Sequence, residues 1–395
     1  MKPKRYDRII IFCIFIGTYF HAGALQAQEV VLLFAGDAMQ HQSQIDHAYR
    51  NGRYDYTSYF EHLAPEIAQA DMAVVNLEVT LGGTPYRGYP MFSAPDEFAI
   101  ALKDAGFDIF LTANNHILDR SSKGLLRTLD VLDSLEVEHT GVFRDLEERD
   151  RLYPLMVDKN GLRLAFLNYT YATNGIDPVP PIFVNYIDKE QMQKDIKQAQ
   201  ELNADIIIAN MHWGDEYQLI QSRTQEQTAQ FLIEEGVDIV MGSHPHVVQP
   251  SKAIRDSQGA ISHLIVYSLG NFVSAMVAEN TYGGQIIKVV LSKKADKTEI
   301  SSCQYLLHYT EKKKNGNKTD FSIVPVSLAE PSEGPLSKTA AIRLDPTNAA
   351  RMRQFARKAR TLFNQYNEEV SEYKMDIQQE KEIFSPNFFP RLFAE

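Results

Sequence analysis

The 395-residue sequence predicts an α/β fold, and three observations carry that expectation. From Val30 to Phe272, short apolar segments of strand length alternate with helical stretches, the pattern of a largely parallel, buried sheet. Metal-capable and acid–base side chains stand just past the end of one predicted strand after another, where open parallel sheets bind their ligands. Hydrophobic residues make up 44% of the chain, enough for one large domain with an appendage.

Taken in order, Val30–Phe34 reads as a strand, Ser58–Ala70 as a helix and Met72–Val75 as a strand. Asp96–Ala105 is helical and Phe107–Leu111 extended. Ser121–Ser134 is a helix with Ser121 or Ser122 placed to cap it. Leu162–Leu167 follows a Lys159-Asn160-Gly161 turn, a hairpin signal. Helices over Asp188–Leu202 and Gln225–Glu235 then alternate with strands over Asp205–Ala209, Val237–Met241 and Leu264–Tyr267. Beyond Val273 the alternation stops. Gln285–Leu291 and Phe321–Val324 look like strands, with a lysine-rich loop over Lys312–Lys318. Thr347–Tyr373 reads as one long charged helix whose apolar side carries Met352, Phe355, Leu362, Phe363 and Tyr366. The tail from Ile383 to Glu395 carries no readable pattern.

The first 27 residues do not belong to that fold. Lys2, Lys4, Arg5 and Arg8 precede a largely apolar run, Ile9–Phe20, and small residues follow at Ala22, Ala24 and Ala27. This is the layout of a secretory signal peptide, cleaved after Ala24 or Ala27. The run is shorter than the roughly 20 residues of a membrane span; an uncleaved anchor is the other reading. Cys13 lies inside the run after Phe12, which does not fit a lipoprotein site, and Cys303 is the only other cysteine. No intrachain disulfide then stabilises the exported protein. Removal of residues 1–27 lowers the 40 basic residues by four and the 51 acidic residues by one, leaving a formal charge of −14. Such a surface does not suit nucleic acid or anionic lipid.

The chemistry collects at the predicted strand ends. Asp37 follows the first strand, Glu78 the second, and Asn114, Asn115 and His116 the third. His212 follows Asp205–Ala209, and His244 and His246 follow Val237–Met241. Taken singly, Gly36-Asp37 reads equally as a turn, Glu78 as a solvated carboxylate, and His212 as a histidine packed under Trp213. Asp119 is spaced to orient His116 from the next helical turn, and two histidines two apart in an extended segment project the same way. Together the groups point to a metal site.

In this order, Gly36-Asp37, Asn76-Leu77-Glu78, Ala113-Asn114-Asn115-His116 with Asp119 and Gly124, and His212-Trp213-Gly214 with Glu216-Tyr217 are followed by Gly242-Ser243-His244-Pro245-His246 and Ser268-Leu269-Gly270-Asn271-Phe272. The set resembles the ordered motifs of the CapA/PgsA capsule-synthesis family, a branch of the calcineurin-like metallophosphoesterase superfamily. The resemblance covers about residues 30–275 and implies a four-layer α/β sandwich over residues 28–275, with residues 276–395 as a C-terminal extension. It implies two divalent ions sharing a bridging Glu78. Asp37 and His246 would serve the first ion, and Asn115, His212 and His244 the second. His116 would be the acid, oriented by Asp119.

Two departures stand out. Met39 fills the place of the histidine in the superfamily's Asp-x-His motif, with His41 two residues on, and Glu78 stands where Asp is usual. The mixed oxygen and imidazole set suits Mn, Zn or Fe. For substrate contact, the loop from Leu81 to Pro95 offers Arg87 and Tyr89, and Arg223 follows the His212 motif; a surface role fits each arginine as well. The resemblance implies poly-γ-glutamate or a related envelope polymer as partner, with capsule synthase or export membrane proteins. Two readings follow: a metal-dependent hydrolase of an envelope polymer or conjugate, or a non-catalytic component that binds the polymer through its metal centre. A nucleotide phosphoesterase is a third, weakened by the altered first motif.

Overall fold

The computed structural model describes residues 28–294, 297–316, 318–331 and 340–375. The expected signal peptide and the tail from Ile383 lie outside the described residues. The architecture is mixed α/β, as expected, and a 15-stranded sheet organises it.

Four parallel strands form one wing: β1 (Gln28–Ala38), β2 (Met72–Leu77), β3 (Ile109–Leu111) and β4 (Glu138–Thr140), side by side in that order. A second wing holds β5 (Leu155–Lys159), β6 (Leu162–Thr170), β7 (Ile206–His212), β8 (Ile239–Ser243) and β9 (Ile261–Val266). There β6 to β9 run parallel, and β5 returns antiparallel to β6 at the edge through the Asn160-Gly161 turn. The short β10 (Asn271–Val273) pairs with the end of β1.

The wings are joined by the long strands β11 (Gly283–Lys294) and β12 (Lys297–Asn315). β11 runs antiparallel to β1 from Gln28↔Lys293 to Phe34↔Ile287, and β12 reaches β9 at Ile261↔Ile300. The sheet is therefore mixed, with antiparallel strands at its middle, and strands on both sides of residue 275 belong to it.

Alternation along the strands sorts side chains into layers. On β1, Val30, Leu32 and Phe34 point inward and share one core with Leu164 and Phe166 of β6 and Ile208 of β7. The opposite face, Leu33 and Ala35, packs with Phe98 and Leu102 of α1 (Asp96–Asp104). On the second wing, Ala165 and Leu167 pack with Met192 and Ile196 of α2 (Lys189–Glu201) and Leu232 of α3 (Arg223–Glu235). Helix, wing, wing and helix form four layers. Each fully buried Leu, Ile or Phe contributes about 1.5–3 kcal/mol.

Several element boundaries differ from expectation for local reasons. Residues 58–70 form two short helices, Thr57–Phe60 and Ala64–Ile67, and Pro65 in the first turn of the second cannot extend the first. The 121–134 helix starts without a side-chain cap, since Ser121 is left-handed at φ 60° and Ser122 Oγ accepts from Val179 N. The lysine-rich segment is a ladder, because β12 pairs with β13 (Lys318–Pro325) out to Asn315↔Lys318. The long helix α4 (Pro346–Tyr366) stops seven residues before Tyr373. Asn367 Oδ1 accepts from Ser251 N, and Ser371 pairs with Gln304. No helix among the described residues is long and apolar enough to cross a membrane.

Candidate metal centre

Strand ends deliver the polar groups to one edge of the sheet. Asp37 sits near the end of β1, Glu78 directly after β2, Asn115 and His116 after β3, and His212 at the end of β7. His244 and His246 follow β8 on a backbone with φ of 100° and 58°, positive values that few non-glycine residues adopt. Gly36 lets the chain close in: a Cβ there would lie 1.9 Å from Gly270 O, where Asp37 N donates at 3.0 Å.

The structure brings together Asp37, Glu78, Asn115, His212, His244 and His246, with His116 and Asp119 beside them; none is more than 4% exposed. Asp37 accepts from Asn76 Nδ2 at 2.8 Å and from His244 N at 3.2 Å, and its Oδ2 lies 3.1 Å from His246 Nδ1. His212 Nε2 is 2.9 Å from Asn115 Oδ1. Glu78 lies between, its oxygens 3.5 Å from His212 Nε2 and 3.8 Å from His246 Nδ1. Two sets of donor atoms each fall within 4.8 Å: Glu78, His244 and His246, and Asp37, Glu78 and His212. Glu78 is common to both, the position a bridging ligand needs.

Electrostatics favour a cation here. Burial alone would raise Asp37, but the hydrogen bond and charge of His246, with His212 and Asn76, hold it well below the usual carboxylate range. Burial and then the charge of Asp37 push Glu78 well above its ordinary value. Burial, followed by neighbouring imidazoles, holds His212 well down and His244 down to about 3. The imidazoles of His212 and His244 are therefore neutral, with lone pairs available. Both Glu78 oxygens and His244 Nδ1 are buried without a hydrogen-bond partner. Orphaned acceptors of this kind are costly unless something positive meets them. The residues fit a divalent ion.

His116 Nδ1 is 2.8 Å from Asp119 Oδ2, which also accepts from Phe92 N at 2.7 Å. Met39 lies in the apolar core between the first wing and its helices. His41, just before the short helix Gln42–Ala48, stays outside both ligand sets; its Nδ1 accepts from Ala275 N at 3.4 Å. Burial and the Lys312 charge bring His41 down to about 4.

The substrate candidates lie farther out. Arg87 is exposed and its backbone pairs with Ser93. Tyr89 is 73% exposed, its ring 6.2 Å from Phe92, which meets His116 edge-on at 4.7 Å. Arg223 is exposed at the start of α3. A cavity of about 350 Å³ beside the centre is lined by Ser222, Thr224 and Gln225 but not by Arg223.

Residues that sequence reasoning left without a role complete the site. Asn76 bonds Asp37 and approaches His212 Nδ1 at 3.2 Å, and Asn271 Oδ1 lies 3.1 Å from His246 Nδ1. Both stand in motifs quoted above. Asn174 reaches Asn115 and His116 at 3.3 Å, and the Tyr171 ring lies 4.6 Å from His244. These two follow the end of β6, so the same strand-end rule would have found them.

Fold and strand-end cluster together define a mixed α/β protein with a candidate divalent-metal centre. Residues 31–276 match the family model described as "Bacterial capsule synthesis protein PGA_cap". The chain belongs to that family. It is 29% identical over 265 residues to "Capsule biosynthesis protein CapA" of Bacillus anthracis, covering 62% of this chain and 60% of that protein. With "PGA biosynthesis protein CapA" of Bacillus subtilis (strain 168) it shares 26% over 298 residues, 71% of this chain and 68% of the relative. The match thus leaves about two-fifths of the Bacillus anthracis protein's length uncovered. Among solved structures, the NAD nucleotidase NadN of Haemophilus influenzae aligns with a TM-score of 0.48 and 13% identity, over 91% of this chain and 66% of that one. The calcineurin-like phosphoesterase YfkN of Bacillus subtilis gives 0.42 and 13%, over 84% and 98%.

Proposed function

We propose that this protein is an exported, metal-dependent hydrolase of capsule or poly-γ-glutamate metabolism that acts on an envelope polymer or conjugate. The observation that carries the reading is Glu78: buried, unpartnered and shared by two ligand sets, with the His116–Asp119 pair alongside. Asp37, Glu78, Asn115, His212, His244 and His246 would hold two divalent ions, Mn, Zn or Fe. Such a pair supplies Lewis acidity and an activated water at the scissile bond.

The chain's own groups do the rest. Asp119 engages His116 at Nδ1, which leaves Nε2 to give a proton to the departing group. When a γ-glutamyl amide is cleaved, the amine leaves with the bonding pair and takes that proton, and the acyl product gains the water's oxygen. Neutral His212 and His244 stay available as ligands because burial keeps protons off them. Asn76 and Asn271 fix the positions of Asp37 and His246.

A second reading is a non-catalytic component that holds the polymer, or a capsule synthase or export membrane protein, through the metal centre. Met39 favours it, since an apolar side chain buried in the core replaces a ligand of ordinary phosphoesterases. The deciding assay uses purified residues 28–395 with Mn²⁺ or Zn²⁺ against poly-γ-glutamate, short γ-glutamyl peptides and a generic phosphodiester. Turnover of a γ-glutamyl substrate supports the hydrolase. Metal-dependent retention of the polymer without turnover on any of the three replaces it with the binding role. Export rests on residues 1–27, and intact-mass analysis of the envelope fraction tests it. Full-length protein in the membrane would mean that Ile9–Phe20 is an anchor.

A further inference from the structure

Three tyrosines that no ligand role explains stand around the mouth of the centre. Tyr89, Tyr171 and Tyr217 are 73%, 44% and 45% exposed. Each comes from a different loop, and each is tied to a different part of the site. The Tyr171 ring lies 4.6 Å from His244 and stacks over His212 at 6.3 Å. Tyr217 lies 6.4 Å from His246. Tyr89 reaches His116 through Phe92. Met91 and Ile220, exposed at 38% and 43%, lie two and three residues from Tyr89 and Tyr217 on the same loops. Exposed apolar side chains gathered at one cleft mark a ligand-binding surface.

The charge at this mouth is acidic. Asp215 and Glu216 are exposed beside Tyr217, against one exposed cation, Arg87, on the Tyr89 loop. With Arg87 alone on these three loops, the carboxylates of a polyanion meet no cluster of basic side chains there among the described residues. The amide backbone of such a polymer is different: planar and uncharged, it can lie against an aromatic ring and bond to a phenol. Tyrosine offers both contacts from a side chain with few rotatable bonds, at small entropic cost.

We propose that Tyr89, Tyr171 and Tyr217 form an aromatic rim that grips the amide backbone of a γ-linked polypeptide laid across the metal centre. Recognition then reads the backbone, with the free carboxylates turned to solvent. This rests on the polymer reading above. It follows that affinity rises with chain length until all three rings are engaged, and that salt does not weaken it, unlike binding by basic residues.

The test is calorimetric binding of poly-γ-glutamate chains of defined length, and of γ-glutamyl-glutamate, to Mn²⁺-loaded residues 28–395. A neutral glucan serves as the competing polymer. Tyr89→Ala and Tyr217→Ala, chosen because they lie farthest from the ligands, should each weaken the long chain about tenfold. They should leave the dipeptide and the bound metal unchanged, and Tyr89→Phe and Tyr217→Phe should retain most of the affinity. Alanine variants that bind the long chain like wild type, while chelator-treated protein does not, overturn the rim and leave the polymer reading standing. Loss of affinity with rising salt overturns backbone recognition. No polyglutamate binding by the loaded wild type, or preference for the glucan, rejects both rim and polymer reading.

Discussion

Glu78 Oε1 lies 3.5 Å from His212 Nε2, yet neither oxygen of Glu78 receives a hydrogen bond. A carboxylate buried in that state destabilises the fold by several kcal/mol unless it is protonated or neutralised by a cation. Metal-free Glu78→Gln should therefore melt higher than metal-free wild type. Adding Mn²⁺ or Zn²⁺ should raise the wild-type melting temperature, by about 2.7 kcal/mol of stability at a hundredfold excess over Kd. The variant should gain little. Thermal denaturation with and without chelator reads both effects, and a variant that gains as much as wild type would remove Glu78 from the ligand set.

His116 and Asp119 make a separate prediction. Their 2.8 Å contact sits beside the ligands without joining either ligand set. His116→Ala should lower kcat about 10²–10⁴-fold while bound metal stays constant. Asp119→Asn should fall in the same direction, since its amide oxygen still accepts from Phe92 N but carries no charge to support a protonated His116. Turnover and metal content measured on the same preparation separate this from ligand loss.

Gly36→Ala tests how closely the strands must approach. The added methyl would stand 1.9 Å from Gly270 O, beside the Asp37 N–H bond. Backbone cannot yield cheaply there, so a loss of roughly 3 kcal/mol is expected. Denaturant unfolding should show it, together with reduced metal binding because Asp37 shifts.

Asp238 gives a pH dependence remote from the centre. Burial raises it to about 6, against the hydrogen bond it accepts from Ile207 N. Folded protein thus holds this proton where the unfolded chain, at about 3.9, has lost it. Stability falls as pH rises from about 4 to about 6 and is flat above, a step of at most about 3 kcal/mol. Asp238→Asn, which can still accept from Ile207, should lack the step. Unfolding free energies of both proteins at pH 4, 5, 6 and 7 check it.

Much of the site was legible because its logic is local. A strand of known direction ends, and the next polar residue faces the crevice; Asp37, Glu78, Asn115, His212, His244 and His246 all obey that rule. Tyr171 and Asn174 escaped because β6 runs to Thr170, three residues past its expected end. The middle of the sheet was not legible at all. Val30 pairs with Leu291, and no local pattern encodes a partner so distant. The 347–373 helix was read too long for the same reason: its propensity is helical, but Ser371 and Asn367 are claimed by strands from elsewhere.

The antiparallel pair β11–β12 that joins the wings also sets the order of events in the life of the chain. Asp37 and Glu78 arrive on one wing and His212, His244 and His246 on the other, and the strands that bridge those wings run from Gly283 to Asn315. A ribosome that has released only the first 276 residues has therefore delivered every candidate ligand but neither of these strands. Capture of an ion by these ligands would then be a late step in folding, after β11 and β12 lock the wings together. Truncations after residue 276 should accumulate as metal-free, aggregation-prone species with open edges at β1 and β9.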